Sequence, residues 1–522
     1  MIREISRRKC LRLWLCKPEY MERTKWENRF VLLRFRKKNY MMFLKDLKRF
    51  KMERLYDKLK AYSESDFYAF HMPGHKRNKT LLGIELPYDL DITEIDGFDD
   101  LHHADGILKE EQERAARVFG AEESHFLVNG STAGILSAVM GCTHRGDKIL
   151  VARHCHKSIY HAIYMNGLVP RYVYPEFDIS MHMNGEISKE DVAKALAAEP
   201  DIKAVVIVSP NYDGVVSDVK GIAEVAHSYR IPLIVDEAHG PHFGFHPAFP
   251  GRANDLGADV VINSLHKTLP SLTQTAILHI NGKLANRRRI KKYLDMLQSS
   301  SPSYIFMASL DACVDFLDGK CEEAFELYVE RLQKFREELK PLQHLQILRT
   351  EHYDISKVVI STANANITSP ELADRLRKEY HLEMEMTGGT YVLAMTTVAD
   401  TQEGLNRLKA ALLEIDDQLE AKTAVSGSIE ISGELPRLEQ YFTPQEAADR
   451  EEDGEAEEIP WKESEGHISL EYAYLYPPGS PVIVPGERIS REAVELLCYY
   501  ETQNLQIEGI QTEGKIKVWK HE

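Results

Sequence analysis

Three short β-branched runs, each closed by a cluster of polar residues, constrain the fold of this chain more than any other feature. The runs are Ala204–Val208, Pro232–Val235 and Val260–Asn263, and two further candidate strands, Ser124–Val128 and Lys148–Val151, precede them. Short apolar runs that alternate with helical patterns are typical of a mostly parallel sheet covered on both faces. The predicted fold class is therefore α/β. Because the polar residues follow the strands, a ligand site is expected at the carboxyl edge of the sheet.

The length of 522 residues predicts more than one domain. After the sheet-forming region the chain forms a second α/β unit, with helices expected near Asp311–Lys340 and Thr401–Gln418. The segment Ala447–Gly466 is acidic and poor in apolar residues, which favours a linker or mobile loop. The predicted segments are a leader (1–51), an N-terminal arm (52–95), a large domain (96–310), a small domain (311–420) and a C-terminal domain (421–522).

Charge is distributed unevenly along the chain. Residues 1–52 contain 17 Lys and Arg against 5 Asp and Glu, whereas the remainder contains 48 against 76. An acidic body argues against nucleic-acid binding and is compatible with a cationic substrate, although solubility alone also accounts for it. The basic leader is compatible with a transit peptide or a nucleic-acid arm. We favour a third explanation, in which the native chain starts at Met52.

The seven cysteines are odd in number and form no CxxC pair, so neither a disulfide framework nor a zinc site is expected. No apolar stretch in the sequence has the length that a bilayer span requires. We therefore expect a cytoplasmic protein without a structural metal.

Several polar residues after the strands are candidates for chemistry. The run Asn129–Gly134 combines small residues and two hydroxyls in a turn that leads into a helix expected over Ile135–Met140. Such a helix start suits a phosphate, but Ser and Thr are equally ordinary helix caps. Asp236 could pair with a protonated ring nitrogen, cap a helix or bind a metal. Lys267 could form an imine if burial lowered its pKa, although a lone lysine is usually a solvated surface residue. His156 could stack on an aromatic cofactor or be structural.

The order of these features resembles a known family. A phosphate-binding loop followed by a strand-end Asp and, some thirty residues later, a strand-end Lys is the order of aspartate-aminotransferase-like enzymes of fold type I, which bind pyridoxal phosphate. More specifically, the chain resembles the Orn/Lys/Arg decarboxylase family, and its short bacterial subfamily without an N-terminal regulatory domain. The matching segments are 70–76, 99–103, Asn129–Gly134, His154–Ser158, Asp236–Gly240, Ser264–Lys267 and Tyr476–Glu487.

The resemblance implies a role for individual residues. Lys267 would hold pyridoxal phosphate as a Schiff base, Asp236 would pair with the pyridine nitrogen, and His156 and Ala238 would pack on the two ring faces. Ser131, Thr132, Ser264 and His266 would surround the phosphate. Ser300 would reach that phosphate from a neighbouring subunit, which implies at least a homodimer with shared active sites.

The implied reaction is decarboxylation of lysine, arginine or ornithine, which would supply polyamine or diamine synthesis. An aminotransferase or lyase of the same fold would share Asp236 and Lys267, but it should show an arginine clamp, and we find none near Gly388–Leu393. A cofactor-free regulatory paralogue is a third possibility. For the distal cationic group of the substrate, the sequence offers Glu487, which follows two turn residues, and the acidic pair Asp99 and Asp100.

Overall fold

The computed structural model describes residues 54–178, 183–421, 434–475, 479–502 and 505–520. The prediction that residues 1–51 are a non-native leader, and with it the proposed start at Met52, lies outside these residues. Within the described ranges, none of the helices is both long and apolar enough to cross a membrane.

A seven-stranded sheet forms the centre of the large domain. Its spatial order is β1-β9-β8-β7-β6-β2-β3, and only β9 runs against the other six. This arrangement confirms the predicted mostly parallel sheet. A short hairpin of β4 and β5 lies outside it. The strands of this domain are β1 (Glu123–Leu127), β2 (Lys148–Ala152), β3 (Val169–Val173), β4 (Phe177–Asp178), β5 (Met183–Asn184), β6 (Val205–Val208), β7 (Leu233–Asp236), β8 (Val260–Asn263) and β9 (Ala276–Ile280).

Helices cover both faces of this sheet, so every residue of β6, β7 and β8 is buried. Burial on two faces explains why these strands are continuous apolar runs rather than alternating ones. The helices up to the end of the large domain are α1 (Leu55–Ser63), α2 (Ile107–Val118), α3 (Gly130–Cys142), α4 (Lys157–Met165), α5 (Lys189–Ala198), α6 (Val219–Ser228), α7 (Leu265–Thr268), α8 (Arg287–Leu297) and α9 (Tyr304–Leu317).

Two helix boundaries differ from the sequence-based expectation. Helix α3 begins at Gly130 rather than at Ile135, so Ser131 and Thr132 lie in its first turn. The helix expected over Asp311–Lys340 is two helices, because α9 ends at Leu317 and Gly319 adopts a left-handed φ of 79°. A left-handed residue ends an α-helix, and glycine adopts it without steric cost.

The small domain packs three helices on a four-stranded antiparallel sheet of order β10-β11-β13-β12. Its buried side chains form one continuous apolar core with side chains of the large domain. The elements are α10 (Glu322–Glu338), β10 (Gln346–Leu348), β11 (Lys357–Ser361), α11 (Ser369–Tyr380), β12 (Met386–Thr387), β13 (Tyr391–Met395) and α12 (Gln402–Asp416).

The C-terminal domain has its own apolar core around Trp461, Leu496 and Val518. Its strands form short antiparallel pairs and one three-stranded sheet. The elements are β14 (Glu439–Gln440), α13 (Pro444–Glu452), β15 (Ala456–Pro460), β16 (Ala473–Leu475), β17 (Pro481–Ile483), β18 (Glu487–Arg488), α14 (Arg491–Thr502), β19 (Ile507–Glu508) and β20 (Lys515–Trp519), with a 3₁₀ turn at Trp461–Glu463.

The acidic segment Ala447–Gly466 is not the linker that its composition suggests. It contains most of α13, which starts with a capping box between Thr443 and Glu446, and all of β15. Strand β15 pairs with the basic strand β20 along five residues. One acidic side chain of β15 also contacts a basic side chain of β20, since Lys515 Nζ lies 3.7 Å from Glu458 Oε2. Composition alone hides this partner because β20 lies at the far end of the domain.

Candidate active site

The two residues expected to carry the chemistry lie at the ends of neighbouring strands. Asp236 is the last residue of β7, and Lys267 follows β8, with which β7 pairs in parallel. Each residue alters the other's titration, since the Asp236 carboxylate favours the charged form of Lys267 and Lys267 favours the charged form of Asp236. The fold therefore places both groups at one edge of the sheet, as the strand order predicts.

Burial makes Lys267 an unusual lysine. Desolvation lowers the pKa of its amine, although the charges of Asp236 and Glu385 act in the opposite direction. Its Nζ lies 2.7 Å from Nε2 of His239, and the ring of Tyr212 is 5.8 Å away. An amine with a lowered pKa is more readily uncharged and is therefore a better nucleophile.

Asp236 is a buried carboxylate with few partners of its own. Only 3% of its surface is exposed, and one oxygen accepts the backbone N–H of Ala238 at 3.1 Å. Burial raises the pKa of Asp236, and Lys267 and this hydrogen bond offset part of that rise. A cationic group supplied by a ligand would stabilise its charged form further.

Two serines from separate elements meet beside the start of α3. Ser264 Oγ donates a hydrogen bond to Ser131 Oγ at 2.8 Å. The first turn of α3 also contains Thr132 and offers free backbone N–H groups, which suit an anion. His266 lies next to Ser264, and its Nδ1 donates to the carbonyl of Thr275 at 2.9 Å. The predicted phosphate-binding residues Ser131 and Ser264 thus lie in direct contact.

His156 is held as a neutral ring at the start of α4. Its Nδ1 accepts the N–H of Ser158 at 3.2 Å, which caps the helix. Burial and the nearby charge of Lys267 lower the pKa of His156 to about 4. A neutral, fixed imidazole suits packing against an aromatic ring, as does the buried methyl group of Ala238.

The C-terminal domain contacts the chain on both sides of His156. Ser480 Oγ donates to the carbonyl of His154 at 2.7 Å, and the N–H of Lys157 donates to the carbonyl of Gly479 at 3.1 Å. We refer to these two hydrogen bonds as the latch. The preceding residues 476–478, part of the segment that resembles the family, lie outside the described ranges.

Glu487 has a partner inside the protein. It is fully buried, and its Oε2 accepts from Arg153 Nη2 at 3.0 Å and from the backbone N–H of Val484 at 2.8 Å. Arg153 also donates to the hydroxyl of Tyr160 and the carbonyl of Val482, both at 3.0 Å. The role of Glu487 in substrate binding stays a prediction, and its geometry is that of a structural ion pair.

The two other acidic candidates are occupied by local backbone. Asp99 accepts the N–H groups of Asp105, Gly106 and Leu108 ahead of and within α2, at 2.9 to 3.0 Å. Asp100 accepts the backbone N–H of His102 at 2.9 Å and, through its other oxygen, a hydrogen bond from the His103 ring at 3.0 Å. Both contacts stabilise a turn and a helix start. Ser300 is exposed on the described surface, and its contact with a partner's phosphate stays a prediction.

Sequence reasoning missed four residues at this edge of the sheet. His239 and Tyr212 contact each other as rings, with centroids 4.4 Å apart, and Tyr212 donates to the Glu385 carboxylate. Lys357 is fully buried at the start of β11 and is influenced by the charge of Lys267. His239 lies within the segment Asp236–Gly240 that resembles the family, so the sequence does carry a signal for it. The small-domain residues Glu385 and Lys357 carry no comparable local signal.

Comparison with known proteins agrees with this geometry. Residues 53–365 match the family model described as Orn/Lys/Arg decarboxylase, major domain, and residues 433–514 match the Orn/Lys/Arg decarboxylase, C-terminal domain. The chain belongs to the Orn/Lys/Arg decarboxylase family. It is thus a member of a family of amino-acid decarboxylases, and the family expected from its motifs is confirmed.

Two curated relatives and one solved structure illustrate the range of this family. The chain is 33% identical over 471 residues to an arginine decarboxylase of Bacillus subtilis, covering 87% of this chain and 95% of that protein. It is 25% identical to a lysine decarboxylase of Pseudomonas aeruginosa, covering 83% and 73%. The constitutive lysine decarboxylase of Escherichia coli superposes with a TM-score of 0.75 at 21% identity, covering 89% of this chain and 82% of that one. That likeness confirms the predicted fold of the large and small domains.

Proposed function

We propose that this chain uses pyridoxal phosphate to decarboxylate a basic amino acid, with arginine as the preferred substrate. The observation that carries the proposal is the half-buried Lys267, whose amine has a pKa lowered by desolvation, lies beside His239 and interacts with the buried carboxylate of Asp236. The preference for arginine rests on the curated relatives, because the more similar of the two is named an arginine decarboxylase.

The residues at the sheet edge fit the cofactor in three respects. Lys267 offers an amine with a lowered pKa for an imine bond to an aldehyde. Asp236 offers a buried carboxylate for a protonated ring nitrogen. The hydroxyls of Ser131 and Ser264, with the first turn of α3, offer hydrogen bonds to a phosphate. Together these groups would match the aldehyde, the ring nitrogen and the phosphate of one cofactor molecule.

Pyridoxal phosphate, when bound, supplies an electron sink for the electron pair that the departing CO2 leaves behind. Asp236 would keep a proton on the ring nitrogen and so maintain that sink. His156, neutral and fixed by Ser158, would hold the ring plane without adding charge. Fixing the orientation of the reacting groups is the part of catalysis that this chain's residues supply.

His239 is placed to orient the amine of Lys267. Burial and the charge of Lys267 hold the pKa of His239 well below its ordinary value, and the two nitrogens are 2.7 Å apart. A neutral imidazole can accept a hydrogen bond from Nζ through Nε2 and so fix the direction of the amine. We assign this positioning role to His239, and the proton transfers that accompany substrate entry and amine release to Lys267 itself.

The carboxylate of Glu385 is the candidate partner for the distal cationic group of the substrate. It accepts the hydroxyl of Tyr212, and its charge influences Lys267 and Lys357. Unlike Glu487, it is exposed in the single chain and therefore reachable by a ligand. A guanidinium or ammonium group would form a charge-assisted hydrogen bond there.

We further propose that the protein acts as a homodimer or a higher homo-oligomer. The N-terminal arm exposes eight large apolar side chains, each 44 to 89% accessible, at Phe67, Tyr68, Phe70, Met72, Leu81, Leu82, Ile84 and Leu86. Contiguous exposed apolar residues of this kind mark association surfaces. A second copy is the occupant that the family resemblance implies, with Ser300 crossing to the partner's phosphate.

One assay tests the proposed function. The purified full chain should be yellow with added pyridoxal phosphate and should release CO2 from arginine with a higher kcat/KM than from lysine or ornithine. A colourless protein that ignores the cofactor would support the regulatory paralogue instead. Conversion of the amino acid to a keto acid without CO2 release would support an aminotransferase. We propose that the amine formed from the best substrate is the product that supplies polyamine synthesis.

A further inference from the structure

Lys357 is a buried cation without a hydrogen-bond acceptor. Its side chain is fully buried at the start of β11, and its Nζ makes no hydrogen bond within the described residues. The carboxylate that pairs with it, Asp354, lies 4.0 Å away, which is beyond hydrogen-bond distance. Leaving an ionised donor buried and unsatisfied is costly, so such groups usually serve a ligand or an ordered water.

Asp354 does not serve as a hydrogen-bond acceptor for Lys357, because both of its carboxylate oxygens already accept hydrogen bonds from other groups. Oδ1 accepts from His242 Nε2 at 3.1 Å and from the N–H of Ser356 at 2.9 Å. Oδ2 accepts the hydroxyl of Ser356 at 2.7 Å. His242 in turn contacts the hydroxyl of Thr268, the residue after Lys267, at 3.0 Å. Asp354 therefore ties the small domain to the strand end that carries Lys267.

The backbone and the stem of Lys357 are held from several sides. Its carbonyl accepts the hydroxyl of Tyr353 at 2.9 Å and the guanidinium of Arg336 at 2.6 Å. Its Cγ lies against Gly214, where an added Cβ would come within 2.7 Å of it. Gly214 belongs to the loop that follows β6 and carries Tyr212. The direction of the Lys357 side chain is thus set by the loop that lines the active site.

Lys357 interacts electrostatically with charged and titratable groups of the proposed active site. Burial and the charge of Lys267 lower its pKa to about 8, against the opposing effects of Asp354 and Glu385. The charge of Lys357 in turn helps to lower the pKa of His239. Lys357 therefore lies within electrostatic range of Lys267, Glu385 and His239, the groups that the proposed function uses.

We propose that the Lys357 ammonium binds the α-carboxylate of the amino-acid substrate, an inference that rests on the proposed function. The substrate carboxylate is an anion that the other assigned groups leave unmatched, since Ser131, Ser264 and α3 suit the phosphate and Glu385 suits the distal cation. Arg336 does not compete for this role, because its Nη2 donates to the carbonyls of Ile355 and Lys357.

A lysine suits a carboxylate that must leave. An arginine holds a carboxylate through two parallel hydrogen bonds, whereas lysine makes a point contact through a rotatable ammonium group. A single contact can orient the bond to be broken without fixing both oxygens in the ground state. This difference accounts for the missing arginine clamp near β13.

The direct test compares two stable conjugates that differ only in this carboxylate. Borohydride reduction of the imines that pyridoxal phosphate forms with arginine and with agmatine gives two phosphopyridoxyl conjugates. Calorimetry on the full chain freed of cofactor measures the affinity of each. The ratio of the affinity for the arginine conjugate to the affinity for the agmatine conjugate measures the contribution of the carboxylate. The two conjugates share the phosphate, the ring and the guanidinium group. We expect Lys357→Met to lower this ratio about 10- to 100-fold, the effect of a hydrogen bond between charged groups.

Arg336→Met is the matched control, since it loosens the backbone of Lys357 but keeps the ammonium group. It should lower the melting temperature and leave the ratio within about twofold of wild type. Lys357→Gln provides a second variant if the Met variant does not fold. An unchanged ratio in a folded Lys357 variant would overturn the proposal, and so would an equal loss for both conjugates, which would assign Lys357 to the cofactor or to structure.

Kinetics of the holoenzyme provide an independent measurement. Lys357→Met should raise KM for arginine about tenfold or more, while the inhibition constant of agmatine stays near the wild-type value. A parallel rise of both constants would contradict the assignment. Failure of the proposed function is distinguishable, because the wild-type holoenzyme would then release no CO2 from arginine, lysine or ornithine.

Discussion

Two pairs of opposite charge, Arg153 with Glu487 and the less deeply buried Lys267 with Asp236, follow different designs. Arg153 and Glu487 are both fully buried and contact each other at 3.0 Å, so each charge is neutralised by the other. Asp236 accepts a backbone N–H and Lys267 contacts His239, and the two charges interact only at longer range. The first pair joins the large and C-terminal domains. The second leaves both charges for a ligand, which is what an active site requires.

The largest effect is expected at Lys267 and Asp236, which we call the open pair because neither charge directly contacts the other. Lys267→Ala removes the amine that would bond to the cofactor, so turnover should fall by about a thousandfold or more and no cofactor should become fixed by borohydride. Mass spectrometry after reduction checks the second point, and a CO2-release assay checks the first. A reducible adduct in the variant would place the cofactor on another lysine.

Arg153 and Glu487, which we call the closed pair because they contact each other directly, should affect stability rather than catalysis when they are replaced. Arg153→Met leaves Glu487 buried without its cation, which should lower the free energy of unfolding by about 3–5 kcal/mol. Replacing both residues by Met should restore much of this loss, because neither charge then remains unpaired. Denaturant unfolding of the full chain measures both effects.

Glu487→Gln decides between the two roles of this residue. A structural ion pair predicts a lower melting temperature with KM for the basic substrate unchanged at temperatures where the variant is folded. The sequence-based role in substrate binding predicts the reverse, a higher KM with little change in melting temperature. The result therefore shows whether Glu487 serves the stability of the protein or the binding of the substrate.

Asp236→Asn tests the other half of the open pair. The amide keeps the shape but cannot hold a proton on a ring nitrogen, so kcat should fall about 100-fold while the protein still binds pyridoxal phosphate. Absorbance titration measures cofactor binding separately from turnover. A rate close to wild type would mean that Asp236 does not support the electron sink.

The smallest expected effect concerns Glu385, which is exposed and therefore more strongly screened by solvent than either pair. Glu385→Gln should raise KM for arginine about tenfold, with kcat and cofactor affinity little changed. Glu383→Gln is a suitable control, since this exposed residue lies two positions away in the same segment. Equal effects in both variants would indicate a general electrostatic attraction of the cationic substrate rather than a specific contact with Glu385.

The sequence predicts the central sheet and its strand-end residues well, because their signals are local. Strands buried on both faces give continuous apolar runs, and Asp236 and Lys267 follow such runs directly. Ser131 and Ser264 meet because helix α3 and the end of β8 share one edge of the sheet.

The remaining site residues depend on how distant segments pack. Glu385 and Lys357 contribute to the site through the position of the small domain over the sheet edge, which no local pattern encodes. Glu487 misleads in the opposite direction, since its turn-rich surroundings suit a binding loop but its partner Arg153 lies far away in the chain. Long-range strand pairing likewise explains why composition alone misassigns the acidic segment Ala447–Gly466 as a linker.

The latch has a practical consequence for protein engineering. Because Gly479 and Ser480 hold the backbone on either side of His156, an exchange of C-terminal domains between relatives also alters the support of the ring-packing histidine. A chimaera that crosses over between the small and C-terminal domains would separate the two halves of this contact. Recombination libraries built from this family should therefore inherit residues 154–157 and 479–480 from the same parent.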